Sequence, residues 1–157
     1  MPRKAKLSDV KKIQKLVNFY AAKNEMLPLS LSELYDNVRN FYVYERKGRI
    51  FGCGVLLVTW DRLGEIRSLA VRRNKQKMGI GKKIVRMCLK EAKGLGLEKV
   101  FVLTYKPGYF KKFGFKDIDK SLLPHKVWHD CIKCVHFPDC KETALIRILG
   151  TSLSRRV

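Results

Sequence analysis

Glu65-Ile-Arg-Ser-Leu-Ala-Val71, then Gln76-Lys-Met-Gly79-Ile-Gly81, then Lys82 to Leu95, then Lys99-Val-Phe-Val-Leu-Thr-Tyr105 and Tyr109-Phe-Lys-Lys-Phe-Gly114-Phe115 follow one another in this chain. Read in order, they predict a strand, a basic glycine-containing loop, a helix over 82–95, a second apolar strand and an aromatic closing segment. The loop has the chemistry of a phosphate holder. A helix start leaves backbone N–H groups unpaired and carries partial positive charge. Glycines at 79 and 81 remove the side chains that would hold a diphosphate away, and they admit unusual dihedrals. Lys77, Lys82 and Lys83 add full charges.

Three kinds of loop fit that description. A P-loop needs Gly-Lys followed by Ser or Thr, but Gly81 and Lys82 are followed by Lys83. A dinucleotide fingerprint needs a third glycine where Ile84 stands. The pattern that fits is Q-x-x-G-x-G, read at Gln76, Gly79 and Gly81. The alternative is an ordinary glycine-punctuated strand-to-helix turn.

Working outward, Arg3 to Lys6 reads as a short strand, and Ser8 or Asp9 can cap a helix over 10–23. Val10, Ile13, Leu16, Val17 and Tyr20 share one helical face. Ser30-x-x-Glu33 is a capping box for a second helix with Leu31, Leu34, Tyr35 and Val38 as its stripe. Phe41–Glu45 and Ile50–Trp60 read as strands around a turn. Gly52 and Gly54 inside the longer one imply twist or a close approach of another backbone. With the Glu65 strand these make an antiparallel meander.

In the 82–95 helix, Ile84, Val85, Cys88, Leu89, Ala92 and Leu95 face inward, and Gly94 and Gly96 end it. The strand at 99–105 is separated from Glu65–Val71 by this helix and so can run parallel to it, giving a mixed sheet. Glu142–Leu149 reads as the last strand. The expectation is one α/β (α+β) domain over 1–149 and a flexible tail over 150–157.

The chain has 157 residues, 46% hydrophobic content and a formal charge of +20 from 34 Lys and Arg against 14 acids. Such a balance favours polyanions, coenzyme phosphates or nucleic acid among them. The cations are spread over the whole chain, so a solvated basic surface accounts for most of them, and no nucleic-acid-binding motif is present. No run reaches the length of a membrane span, and residues 1–6 lack a signal-like apolar stretch. A cytoplasmic protein without membrane or nucleic-acid partners is expected, and a homodimer is compatible with that. Five cysteines argue against a disulfide framework. Cys53 and Cys88 read as core residues. Cys131, Cys134 and Cys140, near His129 and His136, have partial zinc-site spacing. The metal-free reading, reduced thiols packing a loop, is the expected one.

The loop at 76–81, its strand and helix, and the closing Phe113-Gly114-Phe115 resemble the GNAT N-acetyltransferases. Their implied fold is a mixed sheet splayed where the strands at 65–71 and 99–105 part, flanked by helices, with acetyl-CoA as cosubstrate. By the resemblance, backbone groups of Leu69, Ala70 and Val71 would hold the pantetheine arm. The amides of Gln76, Lys77, Met78, Gly79, Ile80 and Gly81, with Lys82, would take the diphosphate, and Phe110 would line the cofactor.

The reaction implied is attack of an amine on a thioester, which needs a base, oxyanion donors and protonation of the thiolate. Glu65 is the candidate base; its alternative is a surface Glu at a strand start. Family members often carry an acidic tyrosine where Phe110 stands, so Tyr105 and Tyr109 are the candidate substitutes, with water or simple packing roles as the alternatives.

Trp60-x-x-Leu-Gly-Glu-Ile-Arg67, Gly79-Ile-Gly81, Phe101-Val-Leu-Thr104, Leu27-Pro-x-Ser30 and Leu123-Pro-His-Lys126 narrow the resemblance to the catalytic domain of N-acetylglutamate synthases, in their short stand-alone bacterial form. A small amino acid, glutamate first, is the implied acceptor. Leu29 stands where similar sequences carry a basic residue. Arg62, Arg67 and Lys106 are the cations left to hold substrate carboxylates. Another small amine or a peptide, a catalytically silent acetyl-CoA sensor and a basic nucleic-acid-binding module are the alternatives.

Overall fold

The computed structural model describes residues 1–124 and 142–150. Seven strands form one mixed sheet in the order β1-β2-β3-β4-β5-β7-β6: β1 Arg3–Lys4, β2 Phe41–Arg46, β3 Arg49–Trp60, β4 Leu63–Val71, β5 Lys99–Thr104, β6 Lys116–Asp117 and β7 Thr143–Ile148. The helices are α1 Val10–Ala21, α2 Leu31–Asn37, α3 Ile80–Leu95 and α4 Pro107–Lys111. Residues cluster into two compact units, 1–57 with 66–91, and 58–65 with the chain from 92 onward. No helix among the described residues is long and apolar enough to cross a membrane.

In the first unit, Val10, Ile13, Val17 and Tyr20 of α1 and Leu34 of α2 join Phe41, Val43, Ile50, Cys53, Val55 and Ala70 in one core. The stripe predicted for α1 is the buried one. The strands β2 and β3 pair antiparallel around Lys47 and Gly48, both at positive φ, the geometry that suits a two-residue hairpin. Ser30 caps α2 as expected, its Oγ accepting from Glu33 N–H at 3.1 Å.

Two expectations are corrected here. Tyr35 is 46% exposed and leaves the α2 stripe to Leu31, Leu34 and Val38. Asp9 is not a side-chain cap for α1. Its carboxylate turns back to accept from Arg3 and from Lys6 N–H, each at 2.8 Å.

Gly52 and Gly54 explain how α3 seats on β3. A Cβ on Gly52 would lie 2.7 Å from Ile80 Cγ2, and one on Gly54 2.8 Å from Ile84 Cγ2. Real Cβ atoms do not come that close, so the two glycines are what lets the helix approach the strand. Ile84, which stands where a dinucleotide fold would have glycine, is fully buried over them.

In the second unit, Leu63, Gly64 and Glu65 at the start of β4 pair in parallel with Lys99, Val100 and Phe101. The strand β5 pairs antiparallel with β7 along its whole length, and β6 adds to the other side of β7. Leu63, Phe101, Leu123 and Ala144 form the core, joined by Leu103, Ile118 and Ile146.

The end of α3 corrects one inward residue. Leu95 is 57% exposed, and Leu97, at 4%, is buried in its stead. Gly96 adopts φ 86°, Leu97 N–H reaches back to Ala92 C=O and Gly96 N–H to Lys93 C=O. That left-handed glycine stop turns the chain so that the residue after it, not the one before it, meets the core. The helix α4 had no counterpart in the sequence reading. The tail over 151–157 lies outside the described residues.

Candidate active site

The strand β4 carries a local irregularity where the cofactor arm was expected. Ser68 sits at φ 54°, a left-handed conformation inside a strand, which marks a bulge. A bulge interrupts the ladder and re-aims backbone groups, so the segment Leu69–Val71 can turn amides toward a ligand. The Cys53 thiol donates to Ser68 C=O at 3.4 Å and so braces the bulge from β3. Cys53 and Cys88 are free, buried thiols, and burial pushes both up to about 12.

After Val71 the chain makes 3-10 turns over Arg73–Met78 and reaches Gly79 at φ 74°. A Cβ there would meet no atom within 4 Å, so this glycine is required by its dihedral rather than by crowding. The helix α3 starts at Ile80, two residues before the predicted start, so Gly81 and Lys82 stand in its first turn. Lys83 N–H makes a helical bond to Gly79 C=O, and the amides just before it have no acceptor within the helix. Lys77, Met78 and Lys82 are exposed beside these amides, whereas the Lys83 ammonium lies 5.5 Å from the Tyr44 ring centroid. Open space, amides and cations together fit a diphosphate.

The Gln76 side chain is engaged within the fold. Its amide turns inward, 3.1 Å from the Tyr20 hydroxyl and 3.3 Å from Val71 C=O. Of the groups assigned to the pantetheine arm, the carbonyl of Val71 is therefore already engaged. Leu69, Ala70 and Val71 follow the bulge directly, with Ala70 buried.

Glu65 is 3% exposed, which removes the surface alternative, and it stands opposite Phe101 in the parallel ladder. Tyr105 follows β5, four residues beyond Phe101, roughly 13 Å along an extended strand. Tyr109 and Phe110 lie in α4. Tyr109 stacks edge-on against Phe110 and Phe113, each at 5.3 Å, and burial pushes its hydroxyl above the ordinary phenol value. Phe110 is 6% exposed and packs edge-on against Phe115.

Of the three expected substrate cations, Arg62 sits at φ 60° in the β3–β4 turn and pairs with Glu98 at 3.1 Å. Arg67 lies two residues beyond Glu65 on β4 and is half-buried. Lys106 is exposed at the start of α4, its N–H bonded to Thr104 Oγ1. Among the described residues no group of three His, Cys, Asp or Glu side chains could hold a metal. Cys131, Cys134 and Cys140 lie outside the described residues.

The family model described as "Acetyltransferase (GNAT) family" matches residues 8–115, from the 3-10 turn before α1 to the closing Phe115. The chain belongs to the GNAT family. Acetyl-CoA is its acetyl donor, and the mixed sheet with flanking helices is the GNAT fold. The chain is 35% identical over 147 residues to an uncharacterized N-acetyltransferase of Chlorobaculum tepidum, covering 94% of this chain and 95% of that one. It is 40% identical over 131 residues to the amino-acid acetyltransferase of Mycobacterium tuberculosis, covering 82% and 75%. Among solved structures, a Mycobacterium tuberculosis protein in complex with CoA and NLQ superposes with a TM-score of 0.83 at 32% identity, covering 94% of this chain and 98% of that chain.

Sequence reasoning missed Tyr20 and Cys53 as supports of the site. Both were read as core, correctly as to burial. Their polar ends, the hydroxyl on Val71 and the thiol on Ser68, are contacts between distant segments, which periodicity does not report.

Proposed function

We propose that this GNAT protein transfers the acetyl group of acetyl-CoA to the α-amino group of a free amino acid, L-glutamate first. The observation that carries the reading is β4. A buried carboxylate, Glu65, stands at its start, a bulge at Ser68 follows, and the strand runs into a phosphate-type loop and helix start. The similarity to an enzyme named amino-acid acetyltransferase supports the acceptor class.

In this mechanism the amides of Gly79 to Lys82, with Lys77 and Lys82, take the diphosphate. Backbone groups after the bulge hold the pantetheine arm and polarise the thioester carbonyl. Glu65 accepts the ammonium proton, directly or through water. The freed nitrogen pair attacks the carbonyl carbon, the nitrogen passes its second proton to solvent, the C–S bond breaks, and the thiolate leaves. A CoA-type thiol titrates near 8.5, below any ordinary phenol. Tyr109, raised further by burial, therefore serves the thiolate as a hydrogen-bond donor, and solvent supplies the proton. Tyr105 is the other hydroxyl in this role.

The two carboxylates of glutamate require cations, and Arg67 and Lys106 are assigned to them. Arg62 is the third, in exchange with Glu98. A second reading keeps the chemistry and changes the acceptor. Leu29, apolar and packed against the core of its unit, offers no cation to a second carboxylate, which leaves room for another amino acid as acceptor. A role in arginine biosynthesis and a cytoplasmic location accompany the glutamate reading.

A thiol-release assay with acetyl-CoA across amino acids, polyamines and short peptides tests the proposal. Release greatest with glutamate supports it. Release greatest with another amino acid moves the assignment to the second reading, and none with any amine rejects amino-acid acetylation.

A further inference from the structure

The Tyr20 hydroxyl lies where three segments meet. Its ring belongs to the core of the first unit, 5% exposed and edge-on to Phe19 at 5.1 Å. Its hydroxyl donates to the carbonyl of Val71, the last residue of β4, and accepts from Gln76 Nε2 at 3.1 Å. The same Nε2 reaches Val71 C=O at 3.3 Å. Hydroxyl, carbonyl and amide thus close a small ring of hydrogen bonds. Gln76 belongs to an exposed stretch, yet its amide is spent on this ring.

The span between β4 and Gly79 is held elsewhere by Arg73, which pairs with Glu25 at 3.8 Å, by Lys75, whose ammonium lies 5.0 Å from the Phe51 ring centroid and whose N–H bonds Arg72 C=O at 2.8 Å, and by Arg72 itself. Arg72 N–H bonds Phe51 C=O at 2.7 Å and Arg72 Nε bonds Ile50 C=O at 3.1 Å, so the start is tied to β3. The middle is tied through Gln76. A phenylalanine at position 20 would satisfy the apolar stripe of α1 equally well, so packing alone does not call for the oxygen. A buried hydroxyl needs partners, and both partners here belong to the end of β4 and the loop that leads to Gly79.

We propose that Tyr20 is a positioning residue for acetyl-CoA: its hydroxyl, acting through Gln76 and Val71, holds the 72–79 loop in the shape that receives the diphosphate. The inference rests on the acetyl-CoA reading of that loop. Holding a loop in its bound shape lowers the ordering cost of binding. Tyr20 touches neither thioester nor amine, so the chemical step is left alone.

The test is calorimetric acetyl-CoA binding, with steady-state kinetics, on the full chain and on Tyr20→Phe, Gln76→Leu and the double variant. Tyr20→Phe keeps the ring and weakens acetyl-CoA binding about three- to tenfold, the size of one hydrogen bond. The KM for acetyl-CoA rises by the same factor, and kcat and the KM of the amine stay within twofold. The double variant binds no worse than Gln76→Leu, because one device has been removed twice. Unchanged acetyl-CoA affinity in Tyr20→Phe, or additive losses in the double variant, overturns the inference while the function stands. Failure of the unaltered protein to bind acetyl-CoA overturns both.

Discussion

Gly52 and Ile80 stand so close that the missing Cβ of the first would lie 2.7 Å from a methyl of the second, with Ile84 Cδ1 at 3.1 Å and Ala70 C=O at 3.3 Å. The first residue of α3 is therefore set against β3 by an absent side chain. Gly52→Ala forces Ile80 to shift and costs about 1–3 kcal/mol, the usual range for overpacking. Urea unfolding reads the loss. Because Ile80 opens the helix proposed to face the diphosphate, acetyl-CoA affinity is expected to fall as well. A fully stable variant with unchanged affinity would show that the contact yields freely.

Glu65→Gln keeps the size and burial of the side chain and removes its basicity. Turnover is expected to fall at least a hundredfold, within the range for loss of a general base. Acetyl-CoA affinity, which the proposal places on the loop and helix start, is expected to stay within twofold. Stopped-flow turnover beside calorimetric binding separates the two. An unchanged rate would take the proton acceptor elsewhere.

At Gly79 the backbone, at φ 74°, is the constraint and the space is open. Gly79→Ala is expected to cost about 1–2 kcal/mol from the left-handed penalty alone. Gly79→Glu adds to that a side chain and a negative charge where phosphates are expected, and acetyl-CoA binding is lost. Comparing the two variants by thermal unfolding and by cofactor binding distinguishes strain from exclusion.

Asp9 gives the fold an acid-sensitive clamp. Burial raises its carboxyl, but the Arg3 guanidinium and Lys6 N–H outweigh it and hold the group below its ordinary value. A carboxylate depressed in the folded state contributes stability above its unfolded value, and that contribution is lost as pH falls through the folded one. Asp9→Asn is expected to lose about 1–3 kcal/mol near neutrality and less with falling pH through the carboxylate range. Parallel unfolding curves for both proteins at every pH would reject the clamp.

Much of this was legible in the residues. The α1 stripe, the Ser30 cap, the glycines of β3 and the Gln76–Gly81 loop each carry a local rule, either a period, a cap or a dihedral. Asp9 was misassigned because an N-cap rule sees only the next helix, while the carboxylate found Arg3 behind it. Leu95 was misassigned because helical periodicity runs on past the point where Gly96 reverses the chain. The helix α4 is one short turn, opened by Pro107, too brief for a period to declare itself. The inward turn of Gln76 was hidden for another reason. The motif fixes where the residue stands, and Val71 together with Tyr20, fifty-six positions away, fixes where its amide points.

The muffled thiols of Cys53 and Cys88 bear on how the acetyl group can travel. A sulfur that loses its proton only near 12 is almost never a nucleophile at physiological pH. Neither can serve as a relay that is first acylated by the donor and then discharged onto the acceptor. For these two cysteines a ping-pong route through an acyl-protein is closed, and initial-velocity kinetics with both reactants varied test whether transfer proceeds in a ternary complex.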